Sequence, residues 1–301
     1  MAHNNQFHHP INIKMLLQRI ITALILAPLF VLALFQLHSE YFSLLIGLIT
    51  LLAAWEWTNL IRISSLIKRC LFILTLILPM IWLHFWTQFL ELVAQILDWP
   101  DVRDYSGALE WLVTAPVLFW ILAMILIRNT PAGVLNLEMK VSYKALIGWL
   151  VLLSTWMFLS RLRSFYGAEL TLYFFLLIWA ADIAAYFSGK KFGKTKLAPE
   201  ISPGKTVEGM YGALIAGVVC AGALSLFYAF PWMVASDFVL LSILTVLISI
   251  YGDLFFSVVK RQRSVKDTGN LLPGHGGVLD RIDSLIAAIP FFYAGIILIH
   301  P

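Results

Sequence analysis

Long hydrophobic runs, separated by short polar segments, extend along the chain from residue 20 to residue 299. A helix needs roughly 20 apolar residues to cross the hydrocarbon core of a membrane. The runs have about that length, and they predict an all-α polytopic integral membrane protein with nine transmembrane helices. The predicted spans lie at residues 20–37, 42–60, 70–87, 111–127, 143–160, 170–188, 210–230, 236–256 and 284–299.

Composition agrees with this pattern. Of the 301 residues, 60% are hydrophobic and 13% are charged, which is too apolar for a soluble domain. The two cysteines, Cys70 and Cys220, lie within or beside apolar runs and indicate neither a disulfide framework nor a metal site. Lys14 and Arg19 precede the first run, but no clean cleavage site follows it, so we expect an uncleaved first span.

The charges of the loops predict the orientation of the chain. The third loop is acidic, whereas the N-terminal tail and the second, sixth and eighth loops are basic, which places the N-terminus in the cytoplasm and the C-terminus outside. Arg161 and Arg163 do not fit this orientation, because it would place them on the outer side of the membrane. Either they lie within the protein or the fifth span is re-entrant. The basic residues are Lys14, Arg19, Arg62, Lys68, Arg69, Lys190, Lys191, Lys194, Lys196, Lys205, Lys260, Arg261, Arg263 and Lys266.

Candidate catalytic groups are concentrated in the second half of the chain. We therefore expect residues 1–160 to be N-terminal helices that serve as a dimer or lipid scaffold. Residues 161–301 would form the catalytic region, with cytoplasmic loops at 189–209 and 257–283.

The polar segment 257–283 joins the last two predicted spans and ends in an Asp-Arg-x-Asp sequence. Asp253, Ser257 and Lys260 share one helix face by their spacing, and Asp280 and Asp283 share a face at the start of the final span. Carboxylates that converge from two helices predict a site for a hard cation, Mg²⁺, that serves a phosphate substrate. A helix cap is the alternative role of Asp283.

The same segment contains cations beside glycines. Lys260, Arg261 and Lys266 could bind phosphate, although basic residues next to a span also act as topology signals. Gly276 and Gly277 would permit backbone approach to a ligand. His275 lies between glycines, where it either touches phosphate or is an ordinary loop residue.

A second candidate constellation lies at residues 179–209. Asp182 follows a dozen mostly apolar residues, so it is either a functional group or the partner of a nearby lysine. The segment 202–206 resembles part of a Walker A loop, but Pro199 stands where that motif needs its first glycine. We expect a phosphate-binding loop there, formed by Ser202, Lys205 and Thr206. Glu56, in the second span, is expected to be structural.

The segment 257–283 resembles the signature of the phosphatidate cytidylyltransferase family, also called CDP-diglyceride synthases. Its pattern begins Ser-x-hydrophobic-Lys-Arg and ends His-Gly-Gly-hydrophobic-x-Asp-Arg-hydrophobic-Asp. The Trp-x2-Asp-x3-Tyr-x2-Gly, Phe-Gly-Lys and Ser-Pro-x-Lys-Thr-x-Glu-Gly elements at 179–209 are also similar. Gly204 departs from the pattern, since relatives often have Lys there. Close resemblance covers roughly the C-terminal 130 residues.

The resemblance implies an enzyme that converts CTP and phosphatidic acid to CDP-diacylglycerol and pyrophosphate in the bacterial inner membrane, with its active site facing the cytoplasm. It also implies a homodimer that requires Mg²⁺, leaves room for a second, monovalent cation and binds no nucleic acid. The expected catalytic residues are Asp253, Lys260, Asp280 and Arg281. The expected metal ligands are Asp253, Asp280 and Asp283. The expected substrate-binding residues are Asp182, Ser202, Lys205, Thr206, Ser257, Arg261, Lys266, His275, Gly276 and Gly277.

Other functions remain open at the level of sequence. A CTP-dependent polyprenol or lipid kinase would share the nucleotide and the membrane, but would release CDP. A transporter could use intramembrane acids and basic gates, but would more often show repeat-related broken helices. A CDP-alcohol phosphotransferase is excluded, because its motif requires an Asp-Gly pair that the chain lacks.

Overall fold

The computed structural model describes residues 13–269, 271 and 276–299. Helices dominate these residues, as the hydrophobic pattern predicts. The helices are α1 (Ile13–Gln36), α2 (Ser39–Leu60), α3 (Leu66–His84), α4 (Trp86–Ile96), the 3₁₀ helix η1 (Pro100–Val113), α5 (Thr114–Asn129), α6 (Pro131–Leu135), α7 (Val141–Phe192), α8 (Val207–Phe227), α9 (Trp232–Gln262) and α10 (Leu279–Ile299). Two short strands, β1 (Lys196–Ala198) and β2 (Ser202–Thr206), form an antiparallel hairpin between α7 and α8.

Seven helices in the described part of the chain are long and apolar enough to cross a membrane. The predicted fifth and sixth spans both fall in α7. The predicted first span falls in α1 (Ile13–Gln36). The all-α membrane architecture is confirmed, and the count of nine spans remains a prediction. The seven helices are Ser39–Leu60, Leu66–His84, Gly107–Asn129 (the second half of η1 together with α5), Val141–Phe192, Val207–Phe227, Trp232–Gln262 and Leu279–Ile299.

Helix α7 is interrupted at Gly167. Its 52 residues would extend about 78 Å as one straight helix, more than twice the thickness of a hydrocarbon core. Gly167 has φ 86° and ψ 176°, which are not helical values, and a positive φ is a conformation that glycine adopts without steric cost. The residue therefore divides α7 into two halves.

The two halves of α7 run in opposite directions. In the first half, the Lys144 carbonyl accepts a hydrogen bond from Trp57 Nε1, and Trp156 Nε1 donates to the Ser43 carbonyl, so this half is antiparallel to α2. The end of α2 contacts the start of α10, where Glu56 binds the Leu279 amide. The first half of α7 is therefore parallel to α10.

The second half of α7 runs antiparallel to α10. The Phe174 and Phe292 rings lie 5.2 Å apart in the middle of these helices. Eight residues further along α7, Asp182 lines the same cavity as Asp283, which is near the start of α10. The ends of α2, α7 and α9 and the starts of α8 and α10 consequently meet at one end of the bundle, hereafter the site end.

Close packing between α9 and α10 brings two carboxylates of the site end together. A Cβ atom on Gly252 would lie 2.4 Å from Ala287 Cβ and 3.1 Å from the Asp283 carbonyl oxygen. Small residues allow such close approach of helices in membranes, where dispersion contacts drive association. The packing places Asp253, the next residue, beside the second turn of α10.

Arg161 and Arg163 lie within the protein at the opposite end of the bundle. Arg161 donates hydrogen bonds to the Glu110 carboxylate and to Tyr293 Oη. Arg163 Nε donates to the Leu34 carbonyl oxygen over 3.0 Å. Internal pairing accounts for the two charges that disagree with the loop pattern.

Candidate active site

A cavity of about 720 Å³ opens at the site end. It is formed by the end of α7, the β1–β2 hairpin, the last turns of α9 and the first turns of α10. The predicted segment 189–209 and the described residues of the segment 257–283 therefore face one another. The predicted site residues that line the cavity are Asp182, Ser202, Lys205, Thr206, Asp253, Ser257, Lys260, Arg261, Lys266, Asp280, Arg281 and Asp283.

The cavity has an excess of positive charge. Among the described residues, seven Lys or Arg and five Asp side chains line it. Lys190 and Lys196, which the sequence indicated only as topology signals, belong to this set, and so does Asp267. A concave cationic surface concentrates anionic ligands.

One face of α9 contributes the groups whose helical spacing predicted a site. Asp253, Ser257 and Lys260 all line the cavity. Ser257 Oγ lies 3.4 Å from Asp253 Oδ1, in position to donate to it. Lys205 Nζ from the hairpin lies 2.7 Å from Asp253 Oδ2 and also donates to the Ile250 carbonyl oxygen. Lys205 thus joins the hairpin to α9.

Asp283 is almost buried, and its position does not match that of a helix cap. Its residue is 9% exposed, and its Oδ2 lies 4.0 Å from Lys260 Nζ. Its Oδ1 accepts from the amide of Ser284, in the second turn of α10. The carboxylate that accepts from the amides at the start of α10, those of Val278 and Leu279, belongs to Glu56 instead.

Asp280 binds the loop that precedes α10. Its Oδ1 accepts from Lys260 Nζ over 2.8 Å. Its Oδ2 accepts from the Thr268 amide at 2.7 Å, the Thr268 hydroxyl at 3.0 Å and the Gly277 amide at 3.1 Å. The side chain is 4% exposed. These contacts favour a role in holding the loop; the metal-ligand role remains a prediction.

Glu56 makes structural contacts whose partners the sequence did not reveal. Its residue is 2% exposed. Its carboxylate accepts from the Val278 amide at 3.0 Å and the Leu279 amide at 2.8 Å, and it shares the single proton of the Thr268 hydroxyl, 2.9 Å away, with Asp280. An acid inside an apolar helix was the available signal. Its partners lie more than 200 residues away in sequence, so spacing could not identify them.

The glycines of the loop make room for these carboxylates. A Cβ on Gly277 would lie 2.1 Å from Thr268 Oγ1 and 2.3 Å from Glu56 Oε2. Gly276 has φ 88°, where glycine is favoured. The structure thus gives both residues a packing role, and neither lines the cavity in the described residues. His275 lies outside the described residues.

The predicted phosphate loop is strand β2 of the hairpin. Thr206 ends that strand and caps α8, because its hydroxyl accepts from the Gly209 amide over 3.1 Å. Gly189 and Gly193 pack against Thr206, where a Cβ on either would come within 2.8 Å of it. These contacts fix the position of the hairpin, which carries Ser202 and Lys205 at the cavity.

The donor set of the cavity fits Mg²⁺. Asp253 and Asp283 come from packed helices, and the Ser257 hydroxyl is a third oxygen donor beside them. No cluster of three or more acidic, His or Cys side chains with metal-site geometry occurs within residues 13–269, 271 and 276–299. Mg²⁺ commonly takes one or two carboxylates and completes its shell with water and substrate phosphates. Two carboxylates suffice for such a site.

Comparisons with known proteins agree with the resemblance. The profile of the cytidylyltransferase family matches residues 17–299. A phosphatidate cytidylyltransferase of Haemophilus influenzae is 38% identical over 289 residues, which cover 92% of this chain and 97% of the relative. One of Pseudomonas aeruginosa is 40% identical over 282 residues, which cover 93% and 96%. One of Bacillus subtilis is 44% identical over 131 residues.

These matches extend well beyond the C-terminal 130 residues that carry the signature. The family profile covers almost the whole length, and two relatives align over most of both sequences. The chain therefore belongs to the cytidylyltransferase family.

Proposed function

We propose that this protein transfers the CMP moiety of CTP to phosphatidic acid, which yields CDP-diacylglycerol and pyrophosphate. The observation that carries the proposal is the cationic cavity at the site end, where Asp253, Asp283 and the lysines of two segments converge. The whole-length relatives named phosphatidate cytidylyltransferase support the same reaction.

The position of the cavity suits one soluble and one lipid substrate. It lies at the end of a bundle of apolar helices, where a soluble nucleotide can reach it. Ile183 and Phe187, which flank the cavity residues of α7, are 58% and 63% exposed and are suited to contact acyl chains. Phosphatidic acid could then present its headgroup while its chains remain in the membrane.

The chemistry requires positioning and charge neutralisation more than proton transfer. A phosphate oxygen of phosphatidic acid attacks the α-phosphorus of CTP, a new P–O bond forms, and the bond to the leaving pyrophosphate breaks. A phosphomonoester has a second pKa of about 6, so the nucleophile is already anionic near neutral pH. In-line displacement then depends on aligned phosphates and fixed cations.

We assign phosphate binding, metal binding and substrate binding to different residues of the cavity. Lys205, Lys260, Arg261, Lys266 and Arg281 would bind and neutralise the phosphates. Asp253 and Asp283 would hold Mg²⁺, which supplies Lewis-acid stabilisation of phosphate charge when bound. Asp182 and Ser202 would bind substrate, and Ser257 would orient Asp253. A second, monovalent cation is part of the proposal and rests on the family resemblance alone.

We also propose the bacterial inner membrane as the location, with the cavity facing the cytoplasm, and a homodimer as the assembly. Bacterial relatives and the basic residues of the site end support the location; the homodimer rests on family resemblance. Single cysteines at Lys196 and Val265, in a background without Cys70 and Cys220, should both be shielded from an impermeant thiol reagent outside intact cells. Labelling of either position would contradict this orientation.

The reaction itself can be tested with purified protein in mixed micelles. Phosphatidic acid, CTP and Mg²⁺ should yield pyrophosphate and CDP-diacylglycerol in equal amounts, and EDTA should stop the reaction. ATP should not replace CTP. Lys205→Ala should lower the rate, whereas Lys140→Ala, an exposed lysine outside the cavity, should not. Release of CDP would indicate a lipid kinase, and no lipid-dependent chemistry would favour a transporter.

A further inference from the structure

A second cavity, of about 370 Å³, lies beside the active-site loop. The turn after α2, the first residues of α3 and the segment after α9 form it. Three arginines line it, and Asp267 is the acid among its described lining residues. We call it the arginine cavity; its cations are Arg62, Arg69 and Arg263.

One of these guanidinium groups is fixed in place by the protein. Arg69 Nε donates to the Ile63 carbonyl oxygen over 2.7 Å. Its guanidinium carbon lies 5.3 Å from the centre of the Trp55 ring, which is a cation–π distance. A group held this way loses little freedom when a ligand binds.

The backbone near the other two arginines has left-handed conformations. Arg62 has φ 66°, and Ser264, directly after Arg263, has φ 59°. Non-glycine residues adopt this region at a steric cost, and such conformations cluster at ligand sites and switch regions. Both turns that carry an arginine to the cavity have this feature.

The arginines have no carboxylate partners in the described chain. None of the three forms an ion pair with an acid within residues 13–269, 271 and 276–299. Like charges gathered in one cavity repel each other, and an anion would relieve that repulsion. Guanidinium groups bind phosphate through paired hydrogen bonds, so phosphate is the favoured chemistry.

The neighbouring surface indicates where that phosphate comes from. Leu66 and Ile67, at the start of α3, are 64% and 72% exposed. Helix α3 is a candidate membrane span with only 17% of its apolar window buried in the protein, so most of that window is left to face lipid. We propose that the arginine cavity binds the phosphate of an anionic phospholipid whose acyl chains lie along α3.

The cavity is connected to the active site through one segment. Asp267 lines both cavities. Thr268 lines the arginine cavity, and its hydroxyl bonds Glu56 and Asp280. A lipid bound by Arg263 would therefore restrain the segment 263–268, which forms part of the wall of the active site. This role requires no CTP, and it goes beyond the transfer reaction.

The test uses the full chain in phosphatidylcholine nanodiscs, with or without phosphatidylglycerol and without CTP. Phosphatidylglycerol has no phosphomonoester, so it cannot act as acceptor. Native mass spectrometry should detect retained phosphatidylglycerol, and thermal unfolding should shift upward in its presence. Arg263→Ala and Arg62→Ala should each weaken retention on the order of tenfold, since each removes charge-assisted hydrogen bonds.

Lys68→Ala is the matched control, because Lys68 is an exposed cation beside Arg69 that does not line the cavity. It should retain the lipid. Equal retention by the wild type and both arginine variants would overturn the site. If Lys68→Ala loses as much phosphatidylglycerol as the arginine variants do, retention depends on general surface charge and not on the arginine cavity. Inorganic phosphate should be added to the protein in neutral nanodiscs as a further control. If it stabilises the protein as strongly as phosphatidylglycerol does, the ligand is not a lipid and the assignment is overturned.

Discussion

The site end holds two pairs of carboxylates that differ in what they contact. Asp253 and Asp283, the cavity pair, have side chains 33% and 12% exposed, and both contact cavity lysines. Glu56 and Asp280, the loop pair, are 2% and 4% exposed, and both accept hydrogen bonds from the loop before α10. Residues of the same chemical type thus make two kinds of contact at the same end of the bundle.

In our proposal, the first pair takes part in the chemistry and the second pair supports the loop. The cavity pair contacts fewer protein donors: Asp253 contacts Lys205 and the Ser257 hydroxyl, and Asp283 contacts the Ser284 amide and, at 4.0 Å, Lys260. Both Glu56 oxygen atoms and Asp280 Oδ2 contact loop amides or the Thr268 hydroxyl, and Asp280 Oδ1 accepts from Lys260. Groups that hold a loop in this way commonly affect an active site by orienting the residues that contact the ligand. Variants of the two pairs should therefore fail in different ways.

The largest effect is expected for Asp253→Asn. The substitution preserves shape but removes the charge that faces the cavity, so CDP-diacylglycerol formation should fall by about three powers of ten. Detergent behaviour and thermal unfolding should stay close to the wild type, because the side chain is partly exposed. Full activity in this variant would remove Asp253 from the metal site.

Asp280→Asn should have a smaller effect on rate. The amide keeps one acceptor oxygen for the loop but loses the charge that pairs with Lys260. We expect a loss of about 10- to 100-fold in kcat, as for other supporting groups, with an unchanged Mg²⁺ concentration dependence. A loss equal to that of Asp253→Asn, with a weakened Mg²⁺ response, would place Asp280 among the metal ligands.

Glu56→Gln should mainly affect the order of the loop. The substitution replaces one acceptor oxygen by an NH₂ group, so a buried donor of the loop loses its acceptor. This should lower the free energy of unfolding by about 2 kcal/mol. Hydrogen exchange of residues 263–269 and 276–279 should increase, and exchange of α8 should not. Glu138→Gln, which changes an exposed acid, is the control. Unchanged exchange in Glu56→Gln would show that the loop is held by other contacts.

Gly277→Ala, compared with Gly222→Ala, should affect stability without removing any charge from the site. The added methyl at Gly277 meets Thr268 Oγ1 and Glu56 Oε2, which hydrogen bonds hold in place, so these groups must shift and the cost should be about 2 kcal/mol of stability. A methyl at Gly222 meets no heavy atom within 4 Å and should be tolerated. Equal unfolding midpoints for the two variants would mean that the loop pair packs less tightly than the structure indicates.

Hydrophobic periodicity was sufficient to predict most of the fold. Run length placed the helices, because backbone hydrogen bonding inside a membrane leaves few alternatives. It did not predict the β1–β2 hairpin, since strands of three and five residues leave no apolar pattern. The internal pairing of Arg161 with Glu110 was left open for a related reason: a charge in a loop does not reveal its partner.

The candidate site could be predicted as far as helical spacing applies. Asp253, Ser257 and Lys260 line the cavity as their spacing indicates. Glu56 belongs to the half predicted as scaffold, and only the folded chain places it against the loop. The distinction between Asp280 and Asp283 is likewise invisible in a sequence where they stand three residues apart.

Metal binding distinguishes the two pairs most directly. Mn²⁺ prefers the same oxygen ligands as Mg²⁺, and its binding to purified protein can be followed by electron paramagnetic resonance without turnover. The wild type and Asp280→Asn should bind Mn²⁺ with similar affinity, and Asp253→Asn should not bind it. Equal loss of Mn²⁺ in Asp280→Asn and Asp253→Asn would contradict the separation of cavity pair and loop pair.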